Sequence, residues 1–443
     1  GANPDAPIYN KDFLQKELYY YRKAIELFSC DEFIDNNDGN VISLKASVYT
    51  NYGNALENCG RKISAIEQYY KALDVYPSFA MAYGNLGLSY MHYAMFMPQN
   101  KGYVRDCLNH FAYQYLNCAI NSNDPNIHDE AKVYYVGHLA LFDSEYREYL
   151  KKDIHIPKIK KIRKDERTYR NWCLDNGLFL TPLNDLPIRN LFFAADELSL
   201  PAILTSVDSG LPIVVGMFNQ LKQEYVSARY LYFESLYYED KVHYSDKKTA
   251  LAETLDYAQF SLRIEKLKYS FKTLFGILDK IAFFLNEYFD LGIENKDVNF
   301  KSIWQSKKFG NNGYEYKNTL DINGNFALAS LYWIQREFEN TNDKYSSHEF
   351  TRLKEIRNSL EHRYTIVTMF TKDIEEIEKN TIATYISETE LYDLTFLLMQ
   401  IVREAIICIA LCVDVEENNK LNKCDASKLL TMKINEIDDE FKF

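Results

Sequence analysis

Glycine and proline are scarce in this chain, 16 and 10 of 443 residues, roughly half their usual share. So few chain breakers exclude a collagen-like, linker-rich or tight-turned all-β protein, and leave room for long helices. Disulfide architecture is also missing. The eight cysteines (Cys30, Cys59, Cys107, Cys118, Cys173, Cys408, Cys412 and Cys424) are scattered, and none forms a CxxC pair. A chain of this length needs no staples, so reduced thiols in a cytoplasmic protein are expected. No two of the eight histidines stand at a recognisable metal-ligand spacing. Cys408 and Cys412 share a helical face with no His beside them and read as core residues, so neither metal nor cofactor is expected. Charge-free apolar runs are lacking too: the longest greasy stretch, residues 391–413, carries Asp393, Arg403 and Glu404 and reads as a buried helix rather than a membrane span. The start Gly1-Ala2-Asn3-Pro4 has no basic-then-apolar signal pattern and no Met, and reads as trimmed. Finally, positive charge is in deficit. A net charge of −12 argues against a whole-surface field for nucleic acid, so any RNA contact has to be local.

What the chain has in quantity is aromatic side chains, 36 Tyr and 27 Phe, set in periodic runs. Its length predicts two or three domains. After a helix over residues 11–28, Tyr49, Tyr52, Gly53, Leu56, Ala65, Tyr69, Ala72 and Pro77 stand at the positions of a tetratricopeptide unit. The pattern restarts 34 residues on with Tyr83, Leu86, Gly87 and Tyr90. The physical content is a helix pair in which a small residue lets two backbones approach and Pro ends the second helix. In the second unit the return helix is displaced to Ala112, Leu116 and Ala119, with residues 91–108 as an insertion. A degenerate third unit starts near residues 131–135. Stacked pairs leave a concave face for a peptide or partner helix, or else only buttress the rest of the chain.

Residues 151–170 carry nine Lys or Arg against three acids. Such a run is a solvated linker by default; within an acidic protein Lys158, Lys160, Lys161, Arg163 and Lys164 are also the best local candidates for phosphate contact. Pro182 and Pro187 then exclude a continuous helix, and residues 169–187 are expected to lie as an extended connector anchored by Trp, Leu and Phe. The predicted organisation is all-α: tetratricopeptide-like repeats over 1–150, the basic linker and connector over 151–210, and a helical bundle over 211–443. In the bundle, residues 301–325 form a long polar loop.

One helix of that bundle, predicted over 349–364, holds Arg357, Asn358 and His362. Phe350, Leu353, Ile356 and Leu360 supply its buried stripe, and Asn358 and His362, four apart, share a face. An imidazole beside a fixed cation and an amide is the set that metal-free phosphodiester cleavage needs. Spacing alone equally allows an ordinary surface ion pair between Arg357 and Glu361.

Three segments together resemble the LA2681-like family of the HEPN superfamily. They are Tyr-Arg-Asn-Trp-Cys-Leu (169–174) with Leu-Phe-Leu-Thr-Pro-Leu-Asn-Asp-Leu (178–186), Leu-Asp-Lys-Ile-Ala (278–282), and Ile-Arg-Asn-Ser-Leu-Glu-His-Arg (356–363). The resemblance spans roughly residues 169–413. It implies a HEPN helical bundle and a metal-independent endoribonuclease, in a toxin, phage-defence or RNA-processing setting, whose composite site forms where two motif helices meet. His362 would then act as general base or acid, and Arg357 would neutralise the phosphorane. Asn358 would orient His362 or a phosphate oxygen, with Asp279 and Glu361 as supporting groups, although a surface acid on an amphipathic helix explains Asp279 as well. A homodimer through the bundle is expected, because one motif offers one His where cleavage wants an acid and a base. The competing class is a non-catalytic interaction protein, for example the partner of a nucleotidyltransferase, with the repeats binding another protein.

Overall fold

The computed structural model of the chain describes residues 12–30, 33, 38–97, 101–159, 161–205, 212–237, 242–253, 256–307, 314–316, 320–339, 345, 347–369, 382–423, 430–432 and 437–442. The fold is all-α: among the described residues helix predominates and strand is scarce. The helices are α1 (Asp12–Leu27), α2 (Gly39–Asn58), α3 (Lys62–Val75), α4 (Ala80–Met95), α5 (Gly102–Ile120), α6 (Asp129–Leu139) and α7 (Ser144–Leu150). After these come α8 (Lys164–Asp175), α9 (Ile213–Ser235), α10 (Leu262–Tyr288), α11 (Phe326–Phe338), α12 (His348–His362) and α13 (Glu388–Lys423).

In the N-terminal part α2 packs on α3 and α4 on α5. Two glycines of the repeat pattern sit where helices touch closely: a Cβ on Gly53 would stand 2.5 Å from the Tyr69 ring, and one on Gly87 2.9 Å from Leu116 Cγ. Residues 91–108 are no insertion. Helix α4 runs on to Met95 and α5 begins at Gly102, so the second pair is made of two long helices.

The connector holds more structure than expected. Residues 164–175 form α8, opened by Asp165 and Glu166 at its positive end, and 3₁₀ turns follow at Pro182–Asp185 and Leu191–Phe193. Two buried arginines clamp the rest. Arg403 of α13 donates to the carbonyls of Phe179 and Thr181 at 2.7 and 3.0 Å and to Asp185 Oδ1 at 2.7 Å. Arg229 of α9 donates to Leu178 O at 2.8 Å and to both oxygens of Asp196 at 2.9 and 2.7 Å. An irregular backbone must place its carbonyls somewhere, and guanidinium forks serve it here.

Helix α13 is long and apolar enough to cross a membrane, yet 83% of its apolar window is buried inside the protein. It is the core of the second half, packed by α10, α11 and α9. Helix α10 starts at a Ser261 cap, whose Oγ accepts from Ile264 N at 3.3 Å, and buries Leu267, Phe271, Leu274, Leu278, Ile281 and Leu285. The two halves share one apolar core. Across it Arg61 reaches Glu404 at 3.0 Å, Ser64 Oγ donates to the same carboxylate at 2.6 Å, and Arg22 pairs with Glu337.

Strand is confined to three two-stranded ribbons among the described residues. Strands β1 (Ile203–Thr205) and β6 (Leu430–Met432) pair antiparallel, as do β2 (Gln305–Lys307) and β3 (Tyr314–Tyr316), while β4 (Tyr364–Thr368) and β5 (Ala383–Ser387) pair parallel. The expected polar loop 301–325 therefore contains a short hairpin and buries Ile303 and Trp304. Helix α12 stops two residues early, at His362, because Thr365-Ile366-Val367-Thr368 is a β-branched run that fits a strand better than a helix.

Candidate active site

Helix α12 buries Phe350, Leu353, Ile356 and Ser359 and packs on α10 and α11. Its stop is fixed locally: Ser359 Oγ donates to Tyr364 O at 3.0 Å, and Arg363 N donates to Ser359 O at 2.9 Å. Turning the chain there leaves the last helical turn open to solvent with Arg357, Asn358, Glu361 and His362 on it.

Arg357 is the centre of the cluster. Its guanidinium carbon lies 5.5 Å from the centroid of Phe275, and Nη2 lies 3.5 Å from Asp279 Oδ2. Phe275 and Asp279 both come from α10, one turn apart, so a neighbouring helix supplies a ring and a carboxylate to hold the cation. Nε is 3.1 Å from Glu361 Oε2, but its N–H is not aligned on that oxygen and has no hydrogen-bond acceptor. Nη1 donates at the long distance of 3.4 Å to Asn358 Oδ1. The guanidinium is thus positioned by weak contacts and keeps donors to spare. His362 is different: its side chain is 71% exposed, with Nε2 3.6 Å from Glu361 Oε2. Asn358 is exposed and faces Arg357; no hydrogen bond joins it to His362 among the described residues.

Asp279 is more than a surface acid. Burial raises its carboxyl above the usual range; Phe300 N–H, donating to Oδ1 at 3.4 Å, and Arg357 pull it back, and Glu361 pushes it up again. One residue of the face escaped the sequence reading. Lys354 is half-buried, three and four positions before Arg357 and Asn358, and burial lowers its pKa, helped by Lys301 and Arg357. The helical count back from Asn358 could have found it; its burial could not be read from spacing.

The basic run lies elsewhere. Lys158, Lys161, Arg163 and Lys164 are exposed, with Arg163 paired to Asp165 at 2.7 Å; Lys160 lies outside the described residues. Helix α8 packs through Tyr169 and Trp172 on Tyr230, Tyr232 and Phe233 of α9, not on α12. No group of three or more His, Cys, Asp or Glu that could hold a metal occurs among the described residues.

Residues 205–416, which contain this cluster, match the family described as LA2681-like HEPN. No curated protein and no solved structure matches the chain. At the superfamily level a HEPN match points to a nuclease-type or nucleotide-related function.

Proposed function

With residues 205–416 as a LA2681-like HEPN domain, we propose that the chain is an endoribonuclease that cuts RNA by transesterification without a metal. The observation that carries this reading is the exposed His362 ring beside a guanidinium that Phe275 and Asp279 hold on the same open helix end. The ribose 2′-OH attacks the adjacent phosphorus and gives its proton to a base. The P–O5′ bond breaks and the leaving oxygen takes a proton from an acid, yielding a 2′,3′-cyclic phosphate and a 5′-OH. His362 serves as one of the two proton carriers, because imidazole titrates near neutral pH. Arg357 stabilises the phosphorane, and its spare donors suit charge that grows only in the transition state.

A second His362 across a twofold axis supplies the other carrier. Tyr364, two residues after His362, and Ile382, which precedes its strand partner Ala383, are 71% and 65% exposed and offer apolar surface for such a contact. The setting proposed is cytoplasmic, in toxin or phage-defence activity. The N-terminal helix pairs act as tetratricopeptide-type repeats that hold a regulatory protein or peptide.

The test is cleavage of diverse RNAs by wild type, His362→Ala, Arg357→Ala and Arg357→Lys, with and without EDTA. Wild type should cut in EDTA, His362→Ala and Arg357→Ala should not, and Arg357→Lys should recover part, since an ammonium lacks the fork. One observation favours a scaffold instead: Asp279 and Glu361 both lie against Arg357, as in a structural ion-pair chain. A wild type inert on all RNAs, with a protein partner retained by the N-terminal repeats, would establish that reading.

A further inference from the structure

Lys354 stands out once the charges around α12 are counted pair by pair. Glu339, the acid nearest to it in effect, is already taken: Arg336 Nη1 lies 2.6 Å from Oε2, while Gln305 Nε2 at 3.1 Å and Lys301 Nζ at 3.5 Å share Oε1. Glu355 goes to Arg352 at 3.3 Å, and Asp279 and Glu361 go to Arg357. Among the described residues Lys354 has no carboxylate of its own, although it is half-buried between Lys301 and Arg357. A half-buried cation gains from a partner, because even partial desolvation without one is costly. A surface lysine that merely snorkels would keep its ammonium in water and its pKa near normal; that of Lys354 is lowered by burial. The unmet charge also lies on the face that matters. Lys354 is about 6 Å along the helix from Asn358.

We propose that Lys354 is a phosphate-binding residue of this site, holding a phosphate of single-stranded RNA next to the one cleaved beside Arg357 and His362. The inference rests on the nuclease reading above. Among the described residues an anion is what the ensemble lacks. A single strand is the fitting class, because in-line attack by a 2′-OH needs a nucleotide free to splay out of helical stacking. Lys354 touches substrate away from the reacting atoms, so its loss acts on binding.

The experiment uses the full chain with Lys354→Met, which keeps the aliphatic stem, and Lys354→Arg, which keeps the charge. Binding of a fluorescent single-stranded RNA with all 2′-OH groups methylated is followed by anisotropy over a salt series, and cleavage of the unmodified RNA is followed in parallel. Lys354→Met should bind roughly tenfold more weakly. Its slope of log affinity against log salt should shrink by about 0.7, one phosphate contact on a single strand. KM should rise with kcat nearly unchanged, and Lys354→Arg should restore most of the loss. A wild type that cuts, with Lys354→Met unchanged in affinity, slope and KM, overturns the Lys354 assignment and leaves the nuclease intact. A wild type that neither binds nor cuts removes both. Should Lys354→Met fail to fold, acetylation of Lys354 in wild type, read by mass spectrometry, decides: protection by the methylated RNA supports the contact, and equal labelling with and without it rejects the contact.

Discussion

At the scale of single residues the candidate site is a balance of small terms. The Arg357–Asp279 contact is long and open to solvent, so it is worth at most about 1 kcal/mol and positions more than it stabilises. Asp279 has a consequence of its own. Its carboxyl is raised mainly by burial. The folded state therefore holds this proton more tightly than the unfolded chain does. The sign follows: the contribution to stability is fully present below the ordinary carboxylate pKa of about 3.9 and is lost as pH rises through the raised folded value. Asp279→Asn should flatten that part of the profile, so its urea midpoint, compared with wild type, should gain from acidic to neutral pH. Equal midpoint differences at both pH values would show that the shift is absent. The same substitution should lower cleavage by loosening Arg357, without the total loss expected of His362→Ala.

At the scale of elements, helix pairs were legible because both their period and their contacts are local. A 34-residue restart places Gly53 and Gly87 at equivalent points, and both lie where a Cβ would collide. Gly87 is the sharper case, since the atoms a methyl would meet include backbone: Leu116 N at 3.0 Å and Ala112 O at 3.1 Å. Gly87→Ala should therefore cost about 1–3 kcal/mol by forcing α4 and α5 apart. Gly102→Ala, with nothing within 4 Å, should cost nothing comparable and serves as the control. Thermal melts of the two variants check this. The connector was misread at this scale for a related reason: Pro182 and Pro187 forbid a helix through themselves, but say nothing of residues 164–175, where no breaker stands.

At the scale of the whole molecule, buried charge joins the halves. Arg61 and Glu404 have side chains 6% and 2% exposed. Glu404→Ala would leave the nearly buried Arg61 with the Ser64 hydroxyl at 2.9 Å and with Glu337 at the long distance of 3.8 Å. The expected cost is about 3–5 kcal/mol, as for breaking a buried pair from one side. Because the apolar core is continuous across the halves, urea should unfold wild type in one transition, whereas in Glu404→Ala the N-terminal helices should loosen first. Unfolding followed by Trp fluorescence and by circular dichroism should then give coincident curves for wild type and separated ones for the variant. Association belongs to this scale as well. Light scattering at micromolar concentration should give a dimer, and Tyr364→Lys, beside His362, should yield monomers that no longer cut RNA. Active monomers would end the twofold proposal.

The sequence by itself determined what depends on neighbours along the chain. The all-α class follows from few breakers and long 3.6-residue periods, and the contact of Arg357 with Glu361 follows from a spacing of four. Only the tertiary structure decided the rest. Asp279 meets Arg357 across 78 positions and Arg61 meets Glu404 across 343, and no local period encodes such a meeting. Lys160 lies outside the described residues, and of the other phosphate candidates in the basic run, Lys158, Lys161, Arg163 and Lys164, only Lys164 lies on α8, which rests against α9 through the half-buried Tyr169 and Trp172, whatever the charge beside them. Lys354 is the clearest case. That it is a lysine on the motif face is written in the sequence; that Glu339, the acid whose charge acts on it, is taken by Arg336, Lys301 and Gln305 depends on three segments meeting there. Charge pairing is a competition in space, and its outcome exists only once the chain is folded.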